Sequence, residues 1–585
     1  MRRAGRVSSV LVFLALLGAC PGPKAEPRAH DAGNTVATPD AAAGDLVLIP
    51  CDRHANNSML HPATPSFCDM NVLSGIDTTL VSAAQEYMAG GVAVADFDGD
   101  GHLDLYVTGL DASGTLYLND GAGAFVDSTA AAQLDGASRN SGVVAADLDN
   151  DGDQDLILTG AFAENALYEN DGAGVFTKHT GAFGTDAAWT ASVTVGDYDN
   201  DGDLDVVFAN WRQSAVNTSG AADTVFRNDG GLVFTQVAPG IATQADHSAA
   251  VAFVDLNGDG LLDLYTSNEL GPIGFSNQEA RNQGDGSFSQ TANSTSELEL
   301  FARSVTPGDF DNDGDIDLYV TDMGNNVLLK NDGQGGFAES AGPAELSAGS
   351  YIDDSEAVAT LPTYDPNTEP RLASWATRAL DIPTDRHAAI GWAALWLDYD
   401  NDGNLDLYVC NGYVDAPVGG RRQPNMLFRN LGNGTFEDVT TTTSAFDTGD
   451  ARGCAYGDFD GDGDLDLVIV NNGYDGDEQG GRLRLLRNDA AEGTYLRVHL
   501  EGVVSNRDGV GAKIELVSVT GRQTRWVSGG DGLLSSSQRD VHFGVGDLSI
   551  VQQVIVTWPS GTVDVVDNQP TATELTVREG SSPAS

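Results

Sequence analysis

Short apolar runs alternate with acidic, glycine-bearing loops along most of the chain. A small and apolar segment starting at Gly91, Ser141 or Ser192 leads into an acidic loop, and an apolar run such as Asp104-Leu105-Tyr106-Val107 leaves it. A third run comes next, as at Thr115–Asn119, then an N-D-G-x-G turn, or its variant N-x-G-x-G, leading to Phe125, Phe176, Phe337 or Phe436. This pattern predicts four short strands per ~50 residues, joined by Gly, Asn and Asp turns. The unit occurs seven times, its loops starting at Asp96, Asp147, Asp197, Asp255, Asp309, Asp398 and Asp458, at spacings of 51, 50, 58, 54, 89 and 60 residues. A four-stranded unit of this length repeated radially is a β-propeller blade. The expected fold is all-β: a seven-bladed β-propeller over 91–490, with an insert at about 340–390, and a small C-terminal β-sandwich-like domain over 493–579. Apolar and polar positions alternate in that last segment without an acidic loop.

Each loop reads D-x-[DN]-x-D-G-x-x-D. The spacing places oxygens at positions 1, 3, 5 and 9 and a backbone carbonyl at position 7, with a glycine at position 6 for the turn. The expected ligands are Asp96, Asp98, Asp100, His102 and Asp104 in the first loop and Asp147, Asp149, Asp151, Asp153 and Asp155 in the second. The third loop offers Asp197, Asp199, Asp201, Asp203 and Asp205, and the fourth Asp255, Asn257, Asp259, Leu261 and Asp263. The fifth has Asp309, Asp311, Asp313, Asp315 and Asp317, and the sixth Asp398, Asp400, Asp402, Asn404 and Asp406. The seventh has Asp458, Asp460, Asp462, Asp464 and Asp466. Position 7 varies because only its carbonyl is used. Oxygen-only ligands disfavour zinc and copper, and loop-built, carboxylate-rich sites favour calcium over magnesium. About seven Ca²⁺ are expected. An EF-hand is excluded, since its Glu at position 12 is replaced by Val107 within a strand-like run.

Charge agrees with a cation-binding chain. The 585 residues carry 86 acidic and 30 basic side chains, a formal charge of −56, and only four lysines. Nucleic acid and anionic membrane surfaces are poor partners for such a chain, because phosphate contacts need clustered Lys and Arg. At the N-terminus, Arg2, Arg3 and Arg6 precede an apolar run from Val7 to Leu17, too short to span a bilayer, which reads as a secretory signal peptide over 1–19. Leu17-Gly18-Ala19-Cys20 resembles a bacterial lipobox, which implies lipidation of Cys20. Residues 20–45 read as a flexible tether, and 46–90 as a lead-in to the propeller. The expected address is an exported lipoprotein of the outer membrane or cell surface, touching membrane through its lipid alone. The other four cysteines are expected to pair as Cys51–Cys68 and Cys410–Cys454, among three connectivities.

The loop, the strand that leaves it and the N-D-G-x-G-x-F after them together resemble the FG-GAP/VCBS repeats, over roughly 70–490. In the tail, Asn506-Arg507-Asp508-Gly509, Ser537-Gln538, His542-Phe543-Gly544 and Trp558-Pro559-Ser560-Gly561 resemble the ASPIC/UnbV domain. The combination is similar to the cartilage acidic protein family. That resemblance implies calcium binding and an extracellular location, and no settled biochemical activity.

The 89-residue spacing marks an insert near 340–390, whose Trp375, Arg378 and His387 are candidate ligand contacts. Arg421 and Arg422, on a smaller insert at 415–424, are further candidates. The nine histidines are scattered, and no nucleophile elbow or phosphate-cradling glycine loop occurs. No catalytic residue is expected, and the chain reads as a non-enzyme: a calcium-binding, surface-tethered binding or adhesion module for a glycan or cell-surface protein. Two alternatives stand beside it. One is a structural envelope protein; the other is a secreted polysaccharide hydrolase or lyase using the propeller's central pocket.

Overall fold

Seven antiparallel four-stranded sheets succeed one another along the chain, each a blade. The structure, a computed structural model, describes most of residues 67–582; residues 1–66, 77–87, 341–351, 354–385, 413–422 and 473–480 and several shorter segments lie outside it. The first blade runs Val92–Ala95, Asp104–Val107, Thr115–Asn119 and Phe125–Asp127. The innermost strands of the others are Asn140–Ala146, Trp189–Gly196, Ser248–Val254, Ala302–Gly308, Gly391–Leu397 and Ala451–Gly457. These strands are buried on both faces almost throughout, which is why they read as small and apolar rather than alternating. The outermost strands keep only their leading aromatic inside, as Phe125 and Phe436 do, and expose the two residues after it.

Each innermost strand packs on its neighbours, and Ala451–Gly457 returns against Val92–Ala95, so the ring is closed. The closing sheet is composite. Its fourth strand is Phe67–Asp69, which pairs with Leu483–Asn488. The lead-in is therefore part of the propeller rather than a separate stretch before it. Joining the first and last strands of the propeller in one sheet removes an open edge from the ring.

A second link runs from blade to blade, and the sequence pattern does not announce it. An Asn ends the third strand of each blade, and its side-chain amide donates to the position-2 carbonyl of the preceding blade's acidic loop. Asn119, Asn170, Asn228, Asn282, Asn331, Asn430 and Asn488 all do so, at 2.7–3.0 Å. Asn119 closes the circle onto Phe459 and also holds Leu103 O at 3.1 Å. Replacing Asn119 with Ala leaves two buried carbonyls short of a donor, and a loss of about 1–3 kcal/mol is expected in denaturant melts.

The Cys410–Cys454 pairing is corrected. Both thiols are free and fully buried, on Asp406–Asn411 and Ala451–Gly457 of neighbouring blades. They lie in the apolar cluster of Trp392, Tyr408 and Leu467 and behave as small hydrophobes. Ellman titration without reductant is expected to find no reactive thiol in the native protein and two after unfolding. Cys68 is disulfide-bonded, while its expected partner Cys51 lies outside the described residues.

The tail is all-β, as expected. Thr494–Glu501 pairs with Val541–Gly546 and, in parallel, with Thr573–Arg578; Lys513–Val517, Arg522–Trp526, Ile550–Thr557 and Val563–Pro570 form a second sheet. Leu496 and Val498 of one sheet and Ile514, Val554 and Trp558 of the other share one core. No eighth four-stranded blade occurs among the described residues; the 340–390 segment contributes the short pair 352–353 and 386–387.

Candidate metal centres and the face they support

Each acidic loop bridges the first and second strands of its blade and is shaped by its own carboxylates. In the first loop Asp96 accepts the backbone N–H groups of Gly99, Asp100 and Gly101 at 2.8–3.2 Å. The position-5 carboxylate accepts the N–H of position 7 in all seven loops, as Asp100 does from His102 at 2.9 Å. The position-9 Asp is buried and does more than line a site. One oxygen accepts the position-2 N–H at 2.9–3.3 Å. The other accepts the N–H of the third-strand Asn at 2.7–2.8 Å. It thus braces the hairpin to the third strand.

The glycine at position 6 has φ between 83° and 105° in every loop. Position 4 is left-handed too: Gly99, Asn150, Asn200, Gly258, Asn312, Asn401 and Gly461 have φ between 55° and 73°. Only Gly and Asn occur there, the two residues that enter this region most cheaply. The restriction is a signal that the sequence carries and that the ligand spacing alone leaves unused.

The carboxylates converge. Single oxygens of Asp96, Asp98 and Asp104 lie within 4.8 Å of one another, as do those of the matching residues of the third, fifth and sixth loops and of Asp147, Asp149 and Asp151. At position 3, one oxygen is buried without a hydrogen-bond partner in six loops, on Asp98, Asp149, Asp199, Asp311, Asp400 and Asp460. The fourth loop has Asn257 at that place. A buried carboxylate oxygen without a partner is costly, and these residues fit a hard divalent cation. Without one, burial pushes Asp104 up to about 7, Asp155 and Asp317 to about 8 and Asp205 to about 9.

Sequence reasoning also misses a base beside the loops. The residue before the third-strand Asn is Arg227, Arg281, Lys330, Arg429 or Arg487 in five blades. Arg429 meets Asp400 at 2.8 Å, Lys330 pairs with Asp311 and reaches Asp313 at 3.1 Å, and Arg281 meets Asp263 at 2.8 Å. The first two blades carry Leu118 and Glu169 instead.

Residues 96–158, 147–208, 214–266, 276–320 and 398–469 match the FG-GAP-like repeat family, and residues 502–584 match the ASPIC and UnbV family. The chain belongs to the FG-GAP repeat proteins that carry an ASPIC/UnbV domain. It is similar to cartilage acidic protein 1 of Homo sapiens, 24% identical over 507 residues, which cover 80% of this chain and 69% of that protein. With the Xenopus tropicalis protein of the same name it is 25% identical over 312 residues, spanning 52% of this chain and 40% of the relative. Among solved structures, a lectin from Burkholderia pseudomallei aligns with a TM-score of 0.41 at 12% identity, covering 69% of this chain and all of the lectin. A rhamnogalacturonan lyase from Bacillus licheniformis aligns with a TM-score of 0.35 at 11% identity, covering 72% and 75%.

The ASPIC/UnbV domain sits on the face of the propeller that bears the acidic loops. Asp508 accepts the N–H of Asp147 at 3.0 Å, and the Arg507 N–H meets Asn150 at 2.8 Å. Lys513 reaches Gly314 O at 3.3 Å, and the Gly544 N–H donates to Asp398 at 3.1 Å. Arg497 meets Asp458 at 3.2 Å. The domain therefore bonds to the second, fifth, sixth and seventh loops.

One of its loops, 528–538, enters the propeller axis. Ser536 bridges to Ala93, the Val94 N–H donates to Ser536 O at 3.0 Å, and Ser192 Oγ donates to Gly532 O at 2.6 Å. The fit is close: a Cβ at Gly529 would lie 1.7 Å from Val195 O. Leu533 and Leu534 are buried there among Ala191, Ala249 and Ala393. At the other end of the axis Met88 packs in the same cluster, and its carbonyl accepts from Trp189 Nε1 at 3.1 Å. Arg303, paired with Glu269 at 2.7 Å, lies over Trp392 beside it. Side chains of the described residues thus pack along much of the axis.

Of the other candidates, Cys20, Trp375, Arg378, Arg421 and Arg422 lie outside the described residues, and for His387 only the backbone is described. His179 is held by Glu169 at 2.6 Å.

Proposed function

We propose that this protein is a calcium-stabilised extracellular binding module, tethered at the cell surface through a lipidated Cys20, which recognises a glycan or protein partner. The observation that carries the reading is the set of orphaned position-3 oxygens in loops gripped by a second domain. Calcium suits them because the ligands are hard, numerous and loop-borne. About seven ions would neutralise the loops and hold the ASPIC/UnbV domain in place, building one surface from two domains. The lipobox-like leader agrees with export. The reading assigns no reaction to the chain.

The test is capture of glycans and envelope extracts by the protein with calcium and with EGTA, with bound calcium counted in the same samples. Calcium-dependent capture of a defined partner supports the reading. No capture by folded, calcium-loaded protein sinks it and favours a structural envelope role.

The bases beside the loops yield a further expectation. Lys330 competes for the carboxylates of the fifth loop, and it is partly exposed, so the effect is screened. Lys330→Gln is expected to tighten calcium binding there by about two- to fivefold, read by competition with a chelating dye.

A further inference from the structure

We propose that the cavity between the propeller and the ASPIC/UnbV domain is a saccharide site that takes one neutral pyranose ring. The proposal rests on the binding-module reading and names its site.

The cavity measures about 130 Å³ and lies beside the axial loop. That is room for about ten water-sized groups, the size of a single hexose. Its walls come from both domains. The propeller contributes Thr306, Trp396 and Tyr456, and the second domain Arg525, Trp526, Asp531 and His542. Trp396 and Trp526 give apolar surface of the kind that covers the C–H face of a sugar, with a few polar groups converging between them.

Two of those groups are more than nine-tenths buried and incompletely bonded. Arg525 is 6% exposed; its terminal nitrogens donate to Thr524 O at 2.8 Å and reach Asn312 and Gly403 O at 3.4 Å, but Nε has no partner. His542 is 8% exposed, and its Nε2 donates to Gly463 O at 3.1 Å, so in the neutral ring Nδ1 is a bare acceptor. Burial pushes His542 down to about 4, which keeps the ring neutral. One buried donor and one buried acceptor, with Asp531 and Tyr456 nearby, match a molecule whose hydroxyls both give and accept hydrogen bonds.

Charge selects a neutral sugar over a uronate. Arg525 already faces Asp309 and Asp398. Arg539, on the same wall, is held by Ser528 O and Ala145 O and stands 3.6 Å from Asp508. Asp531 adds a carboxylate. An anionic ligand would be opposed by Asp531 and would find Arg539 already engaged.

The experiment is saturation-transfer NMR on the full chain with millimolar calcium, using methyl glycosides of neutral hexoses and deoxyhexoses, and uronates for comparison. Trp526→Ala and Asp531→Asn are the site variants, and Val519→Ala, on an exposed turn, is the control. Transfer to at least one neutral glycoside is expected, weakened at least tenfold in both site variants and unchanged in the control. Asp531→Asn keeps the shape of the side chain, so it carries the test if Trp526→Ala does not fold. No transfer to any neutral glycoside, transfer to uronates alone, or binding unmoved by a folded site variant overturns the proposal. Partner capture that survives both variants would overturn it too, while leaving the binding module standing with its site elsewhere.

Discussion

Chelation is expected to remove about 3–10 kcal/mol of stability from the calcium-loaded protein near neutral pH. If each loop binds with an affinity typical of extracellular modules, ~0.1–1 mM, millimolar calcium contributes about 0.4–1.4 kcal/mol per loop, and there are seven. The loss should depend on pH in a way that a non-specific effect of EGTA would not. In the cation-free protein, burial raises Asp155 to about 8 and Asp205 to about 9, well above their unfolded values near ~4. A raised carboxylate favours the folded state when protonated. That stability is fully present below the unfolded value and is lost as pH rises through the folded one. The EGTA-treated protein should therefore become more stable as pH falls from about 9 to 5. The calcium-loaded protein should become less stable over the same range, because protons displace the ion. The two curves converge at low pH. Melts in urea at several pH values, of protein stripped of calcium beforehand and of the same protein in millimolar calcium, check this; parallel curves would falsify the cation assignment.

How far the fold can be read from the chain depends on which contacts are periodic. The D-x-[DN]-x-D-G-x-x-D loop repeats because every blade needs the same hairpin, and its spacing alone implies seven blades and converging carboxylates. The interblade lock repeats too, but its donor reads as a turn residue: Asn119 starts an N-D-G turn and, through its side chain, also reaches Phe459 O. Its far end is a backbone carbonyl, which leaves no mark on residue identity. Position 4 is legible in its Gly/Asn restriction, and the bases at Lys330 and Arg429 stand out in a chain with 30 basic residues. The strand Phe67–Asp69 is not legible. It joins a sheet whose other strands lie some 400 residues later, and three residues carry no period. Nor is the axial loop: 528–538 reads as a Gly/Ser turn, and nothing local says that Leu533 and Leu534 belong to another domain's core. The Cys410–Cys454 error has the same origin, since matching places in neighbouring repeats imply proximity but not a bond.

That axial loop supports the second large expectation. Leu533→Ser with Leu534→Ser should cost about 4–10 kcal/mol, two buried leucines at about 2–5 kcal/mol each, before any cost of placing hydroxyls in an apolar cluster. Both side chains are at most 1% exposed and touch the innermost strands of several blades, so no neighbouring side chain can easily fill the space. The loss should not fall evenly. The core of the ASPIC/UnbV domain, with Leu496, Ile514, Val554 and Trp558, runs on into the second and third blades at Val144, Val193 and Val195, and its bonds to the acidic loops are polar. The axial loop is the part of the apolar dock that reaches the inner strands around the whole ring. Without it, one cooperative melt is expected to separate into two, and the transition of the ASPIC/UnbV domain should stop responding to EGTA, because its contacts with the loops at Asp147 and Asp398 are no longer held. Calorimetry of the double variant with and without calcium reads both effects. A single transition that still shifts with EGTA would mean that the polar contacts alone couple the two domains, and that the leucines merely fill the channel.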